Sequence, residues 1–225
     1  MSRVAIINCI WAVSLMLQVA LLVMAFRRGV ARRLPVFAAL LIFYPLRAIA
    51  LFVLFGHVKP ADYAATGNAF SIVDLVLQFC IAMELAARLI RGWGGWTTAR
   101  GLMLAALGGV SVGATLITSR LLPAHAPIPA DRVQIFDCYL LMLICVWAFT
   151  EPAAGLLRRV AVGFGLYGLV SLLEIRAHTI AAVHRDGPTY VLWSYIGSGA
   201  YLAVVAFWLA FLKVDPEPKP KRSKR

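Results

Sequence analysis

Seven long apolar stretches, residues 4–26, 34–55, 67–90, 98–119, 132–150, 160–183 and 190–212, organise this chain. A hydrocarbon core of about 30 Å takes roughly 20 helical residues to cross, so each stretch predicts one membrane-spanning helix. The connections between them are short and leave no room for a second domain. The predicted fold class is all-α, a polytopic membrane protein built as a seven-transmembrane-helix bundle over residues 1–213, with 214–225 as a disordered basic tail. Composition points the same way. Hydrophobic residues make up 62% of 225 and charged residues 14%, with a mean hydropathy of +0.84, far from the values of a soluble domain.

Lys and Arg collect on one side of the predicted bundle. Fifteen of the 22 fall in alternate connections and the tail, beginning with Arg27, Arg28, Arg32 and Arg33 after the first stretch and ending with six between Lys213 and Arg225. Five fall on the other side: Arg3, Lys59, Arg120, Arg132 and Arg185. Cytoplasmic loops retain basic residues, so the N-terminus is expected outside, the C-terminus in the cytoplasm, and the chain in the inner (plasma) membrane. One Arg precedes the first apolar run and four follow it, which reads as a retained helix rather than a cleaved signal peptide. The net charge of +12 then has its partner in the anionic face of the bilayer, not in nucleic acid. The tail Lys219-Pro220-Lys221-Arg222-Ser223-Lys224-Arg225 is expected to meet anionic lipid or to dock a cytoplasmic protein.

Against this apolar background, ionisable residues inside the spans are the candidate chemistry, because charges in hydrocarbon are costly and face a bundle interior. Counted from the assumed outer ends at the helical rise, Arg47, Asp74, Glu174 and Asp137 lie about 14, 12, 15 and 9 Å deep, close enough to meet. On the third helix Ser71, Asp74, Gln78, Glu84 and Arg88 share an arc of about 140°, a polar stripe running inward; on the sixth, Tyr167, Ser171, Glu174 and His178 share about 60°. Arg176 points almost the other way. Glu84 and Arg88, four apart, predict an intrahelical ion pair. In the second helix Pro45 cannot donate to the carbonyl of Leu41, which predicts a hinge beside Tyr44 and Arg47. Arg47 would then offer a permanent cation to Asp74, Asp137 or Glu174. The layer is expected either to pin the helices together or to leave one carboxylate able to take a proton, a cation or a polar ligand.

Other motifs carry less. Cys9, Cys80, Cys138 and Cys145 lie inside spans without the pair spacing of a zinc site, and no metal or cofactor is expected. His57, His125 and His184 fall at the outer surface, where solvated histidines are ordinary. Gly163, Gly165 and Gly168 spell a dinucleotide-binding pattern but sit mid-span with no preceding strand; with Ala105, Gly109 and Gly113 they predict small-residue packing surfaces. Gly197-Ser198-Gly199 resembles part of a serine-protease elbow without a partner histidine, and no catalytic set is read. Lys213 falls far from the layer, which argues against a retinal Schiff base, and Glu151 sits at an interface.

Trp11 with Leu17-Gln18, Glu84, and Arg132-Val133 leading into Asp137-Cys138 resemble an arrangement found in small uncharacterised seven-helix proteins of bacterial inner membranes. That resemblance implies the seven-helix fold and brings no activity, ligand or catalytic residue. The helix count is also similar to the membrane-sensor modules of some bacterial kinases, although no kinase follows Leu212. The paired Pro-Gln signature of small seven-helix sugar carriers is missing. The function expected first is a sensor or transducer binding a small ligand or proton in an outer-half polar pocket roofed by 57–63 and 121–132. A small proton- or ion-coupled transporter, with Asp74 or Glu174 carrying the ion, is the alternative, and an intramembrane enzyme ranks last.

Overall fold

The computed structural model describes residues 3–92, 97–121, 129–150 and 155–212, and of these all but a few short turns are helical. Eight helices follow in order among them: α1 Arg3–Arg27, α2 Val30–Arg33, α3 Pro35–Leu54, α4 Pro60–Gly92, α5 Thr98–Leu121, α6 Pro129–Thr150, α7 Gly155–Val183 and α8 Gly187–Phe211. All but the four-residue α2 are long and apolar enough to cross a membrane. The chain is therefore a multi-pass helix bundle. The Glu151 position, the segment 122–128 and residues 213–225 lie outside the described residues.

Local chemistry sets the helix ends. Gly29 adopts φ 69°, the left-handed conformation that glycine takes without a steric penalty, and it turns the chain from α1 into α2. Pro35 opens α3, where its missing N–H costs nothing. Gly56, at φ 76°, turns the chain just after α3, and Pro60 opens α4. The segment 57–63, expected as a roofing loop, is thus mostly a tight turn and the first turn of α4, with Tyr63 edge-on to Phe55 at 6.0 Å. At the start of α8 the Asp186 carboxylate accepts from the Thr189 N–H at 3.1 Å; hydrogen bonding to Thr189 holds this exposed carboxyl below its ordinary range.

The helices close a ring in which α1 touches α3 and α8, α3 touches α4, α4 touches α6 and α7, and α7 runs between α6 and α8. The fifth helix stands outside the ring against α6, tied to it by Thr118 Oγ1 and the Tyr139 hydroxyl at 2.7 Å. Large apolar side chains such as Leu46, Phe52, Ile72, Leu116, Leu166 and Leu192 are exposed around the outside, as a lipid-facing surface requires. Packing is tightest in the half of the bundle away from the N-terminus. There Phe37, Phe164 and Trp208 meet with ring centroids 5.0–6.0 Å apart, surrounded by fully buried Leu21, Leu34, Leu40, Ile81, Leu85, Leu89 and Ile144.

Two helix C-termini in this half have carbonyls bonded by side chains, as orphan backbone groups away from water must be. Arg28, in the turn after α1, donates to the Leu212 carbonyl at 2.6 Å and Arg158 to that of Ala148 at 3.3 Å, while the Trp208 indole ties α8 to the Arg159 carbonyl near the start of α7 at 3.2 Å. Glu84 does more than pair with Arg88 at 3.6 Å: its Oε2 accepts from the Phe37 N–H at 3.2 Å, capping α3 from α4. Glu84→Ala strands that N–H and the Arg88 charge, so a loss of about 1–3 kcal/mol is expected, read as a lower unfolding midpoint in mixed micelles. Glu84→Gln, which keeps an acceptor, should recover part of it.

Candidate functional site

The N-terminal half of the ring is hollow. A cavity of about 430 Å³ lies among α1, α3, α4, α7 and α8, and Arg47, Asp74 and Glu174 all line it. Three of the four ionisable groups expected at a common depth are therefore brought to one space. Arg47 Nη1 and Asp74 Oδ2 form an ion pair at 3.1 Å, with the Asp74 side chain 12% and the Arg47 side chain 29% exposed. Tyr44 and Gln78 lie beside the same carboxylate, and its second oxygen, Oδ1, is buried without a hydrogen bond.

Glu174 faces the cavity with a weaker neighbour. His178, one turn on, approaches its Oε1 at 3.9 Å, beyond hydrogen-bond reach. The His178 Nε2 instead lies 3.2 Å from both the Tyr190 carbonyl and Ser194 Oγ. With its proton on Nε2 the ring donates to α8; with the proton on Nδ1 the Ser194 hydroxyl donates to Nε2, and in either tautomer this nitrogen is engaged with α8. The ring stacks on Tyr190 at 4.1 Å, which fixes it at the rim. The Glu174 carboxylate lies against Gly197, where any Cβ would overlap it. Gly197, which the sequence places in an elbow-like string, is thus the gap that lets Glu174 reach the cavity wall.

Asp137 is 2% exposed, and its Oδ2 has no hydrogen-bond partner. It belongs to the same charged neighbourhood as Asp74 but is not among the cavity-lining residues. Pro45 is buried in a continuous α3, two and three residues before the cavity-facing Arg47 and Ala48. Ser71 does not join the stripe. It is exposed on the outside of α4, its hydroxyl returned to the Gly67 carbonyl at 3.0 Å. Arg176 is exposed as well. Gln78, Glu84 and Arg88 stay on the stripe but line no part of the cavity.

Sequence reasoning missed much of the wall. Trp11, Ser14 and Gln18 on α1, and Gly197, Ser198 and Tyr201 on α8, complete it. Trp11, Ser14 and Gln18 recur every three or four residues, as do Ser198 and Tyr201 with Gly197 beside them, so one face of an otherwise apolar helix carries each set; that stripe was the available signal. Tyr201 packs edge-on to Tyr44 at 5.5 Å and to Tyr167 at 6.4 Å, and its hydroxyl, like Gln18 Oε1, is buried without a hydrogen bond.

Other chemistries find less support. Ser198 Oγ donates to the Ser194 carbonyl at 2.8 Å, and His178 engages Tyr190 and Ser194 instead, so among the described residues no histidine is bonded to the elbow-like string. Among the described residues no group of three His, Cys, Asp or Glu side chains is placed to hold a metal ion, and the four cysteines are unbridged. The glycines divide. A Cβ at Gly163, Gly165 or Gly168 would press on Trp208, Cys145 or Cys138, whereas Gly109 and Gly113 meet nothing within 4 Å. Among the described residues, nothing packs closely on α5 at Gly109 and Gly113. Comparison with protein-family models, curated proteins and solved structures finds no match for this chain.

Proposed function

We propose that this chain is a sensor or transducer of the inner membrane that takes a small polar ligand or proton into the cavity and signals through its cytoplasmic connections and tail. One observation carries the reading: the polar cavity lies in the half of the bundle that holds the N-terminus, and the interior of the other half is filled by buried apolar side chains around Phe37, Phe164 and Trp208. The distribution of Lys and Arg supports an outward-facing cavity and a cytoplasmic packed half. The contacts Arg28 to Leu212 and Glu84 to Phe37 couple the helix ends of that half, where a shift of α3 or α8 would be felt. Outside the described residues, the basic tail is the proposed contact for anionic lipid or a cytoplasmic protein.

Transport is the second reading, favoured by the Arg47 and Asp74 pair standing next to Pro45. It needs a polar path onward through Gln78, Glu84 and Arg88. Fully buried Ile81, Ala82 and Leu85 interrupt that path, and Glu84 is committed to Phe37 and Arg88.

Cysteine labelling separates the two. With the native cysteines replaced, Ser14→Cys in spheroplasts should react quickly with a membrane-impermeant thiol reagent added outside, and Ala82→Cys should stay unreactive from either side. Labelling of Ala82→Cys from the cytoplasmic face, together with solute flux in vesicles that is lost in Asp74→Asn, would replace the sensor with a carrier. A Ser14→Cys that reacts only from the cytoplasmic side would invert the proposed topology.

A further inference from the structure

The cavity's charges do not balance, and the imbalance has a direction. Arg47 is matched by Asp74 at 3.1 Å. Glu174 remains, on α7, and among the described residues no Lys or Arg stands within ion-pair distance of it; His178 lies at 3.9 Å and offsets the carboxylate only when the imidazole is protonated. A carboxylate held inside a membrane bundle calls for a cation or hydrogen-bond donors. Two other buried wall atoms without a hydrogen bond, Asp74 Oδ1 and Gln18 Oε1, are acceptors and would take donors as well, whereas the Tyr201 hydroxyl, beside Gln18, can donate as well as accept.

Aromatic faces supply the rest of the surround. Trp11, Tyr44, Tyr167 and Tyr201 line the same space, and the negative faces of such rings attract a cation that has left water. Polar donors are also present: Arg47 is bonded to Asp74 through Nη1, Ser14 accepts from Gln18 and keeps its hydroxyl proton, and Ser198 donates into its own helix.

We propose that the cavity binds a small organic ammonium ion, its charged nitrogen on Glu174 and its body against Trp11 and the three tyrosines. This rests on the reading of the cavity as a ligand site and adds the ligand's chemical class. Gly197 is part of the device: by presenting no Cβ it lets the Glu174 carboxylate lie against α8 and face inward.

Three matched probes test it: phenethylammonium, phenethyl alcohol and phenylacetate, titrated calorimetrically into the full chain in nanodiscs of neutral phosphatidylcholine. Phenethylammonium should bind saturably, and about tenfold or more tighter than the alcohol or the carboxylate, the ratio expected of one charge-assisted contact. Glu174→Gln should weaken it by a similar factor. Gly197→Ala, which displaces the carboxylate without removing its charge, should give the same loss and covers a Glu174→Gln that does not fold. Equal binding of the alcohol, or ammonium binding unchanged in both variants, overturns the proposal. Preferred binding of phenylacetate that is lost in Arg47→Gln overturns it too, while leaving the cavity a ligand site. Binding of none of the three also overturns it, and the sensor reading is then decided separately by the Ser14→Cys and Ala82→Cys labelling pattern.

Discussion

Gly163→Ala is expected to destabilise the bundle by about 1–3 kcal/mol, the range for forcing extra volume into a packed core, and Gly163→Val by more. The added carbon would lie on the Trp208 indole, and that ring has nowhere to go. Phe37 and Phe164 hold it from two sides at 5.2 and 5.0 Å, and its Nε1 is bonded to the Arg159 carbonyl of the same helix that carries Gly163. A shift large enough to relieve the overlap opens that hydrogen bond and the aromatic cluster together. Gly109→Ala is the control: it is exposed, nothing lies within 4 Å, and alanine is the better helix former by up to about 1 kcal/mol. Heating or denaturant titration in mixed micelles should therefore lower the midpoint for Gly163→Ala and leave that of Gly109→Ala unchanged or higher. A Gly163→Ala protein as stable as the parent would mean that the α7 and α8 contact is looser than the structure has it.

The two glycines also show what spacing along a chain can and cannot carry. Gly163, Gly165, Gly168 and the trio Ala105, Gly109, Gly113 have the same periodic smallness, and periodicity says which residues share a face. It does not say what the face meets. On α7 the face meets Trp208, Cys138 and Cys145; on α5, which stands outside the ring, it meets open space.

Depth counting did better, because charges inside seven apolar helices have few places to be. It put Arg47 within reach of Asp74, Asp137 or Glu174; the structure pairs it with Asp74, sets Glu174 on the same cavity and leaves Asp137 off its wall. Glu84 was legible only as the i to i+4 partner of Arg88. Its bond to the Phe37 N–H depends on α3 starting at Pro35 against α4, a tertiary fact. The walls contributed by α1 and α8 were harder still, because Ser14, Gln18, Ser198 and Tyr201 are common in membrane helices, and only their convergence gives them meaning.

Arg47→Met is expected to cost about 2–4 kcal/mol, near the range for breaking a buried ion pair from one side. The size follows from an asymmetry in the pair. Asp74 is the more buried partner, its side chain 12% exposed against 29% for Arg47, and one of its oxygens already lacks a hydrogen bond. Removing the guanidinium strands the carboxylate in the bundle, whereas Asp74→Asn leaves Arg47 with a route to the cavity and to Glu174 across it. The arginine substitution should therefore be the worse of the two. The double variant Arg47→Met with Asp74→Asn should recover much of the loss, since a neutral pair carries no uncompensated charge. Denaturant titration of the parent, both single variants and the double variant in mixed micelles gives the coupling directly. A coupling near zero would reduce the pair to a chance proximity. Ligand response then adds the functional half: if the cavity binds an ammonium ion through Glu174, Asp74→Asn frees Arg47 to pair with that carboxylate. Ammonium binding should fall in Asp74→Asn and return in the double variant, an order that a purely structural pair would not produce.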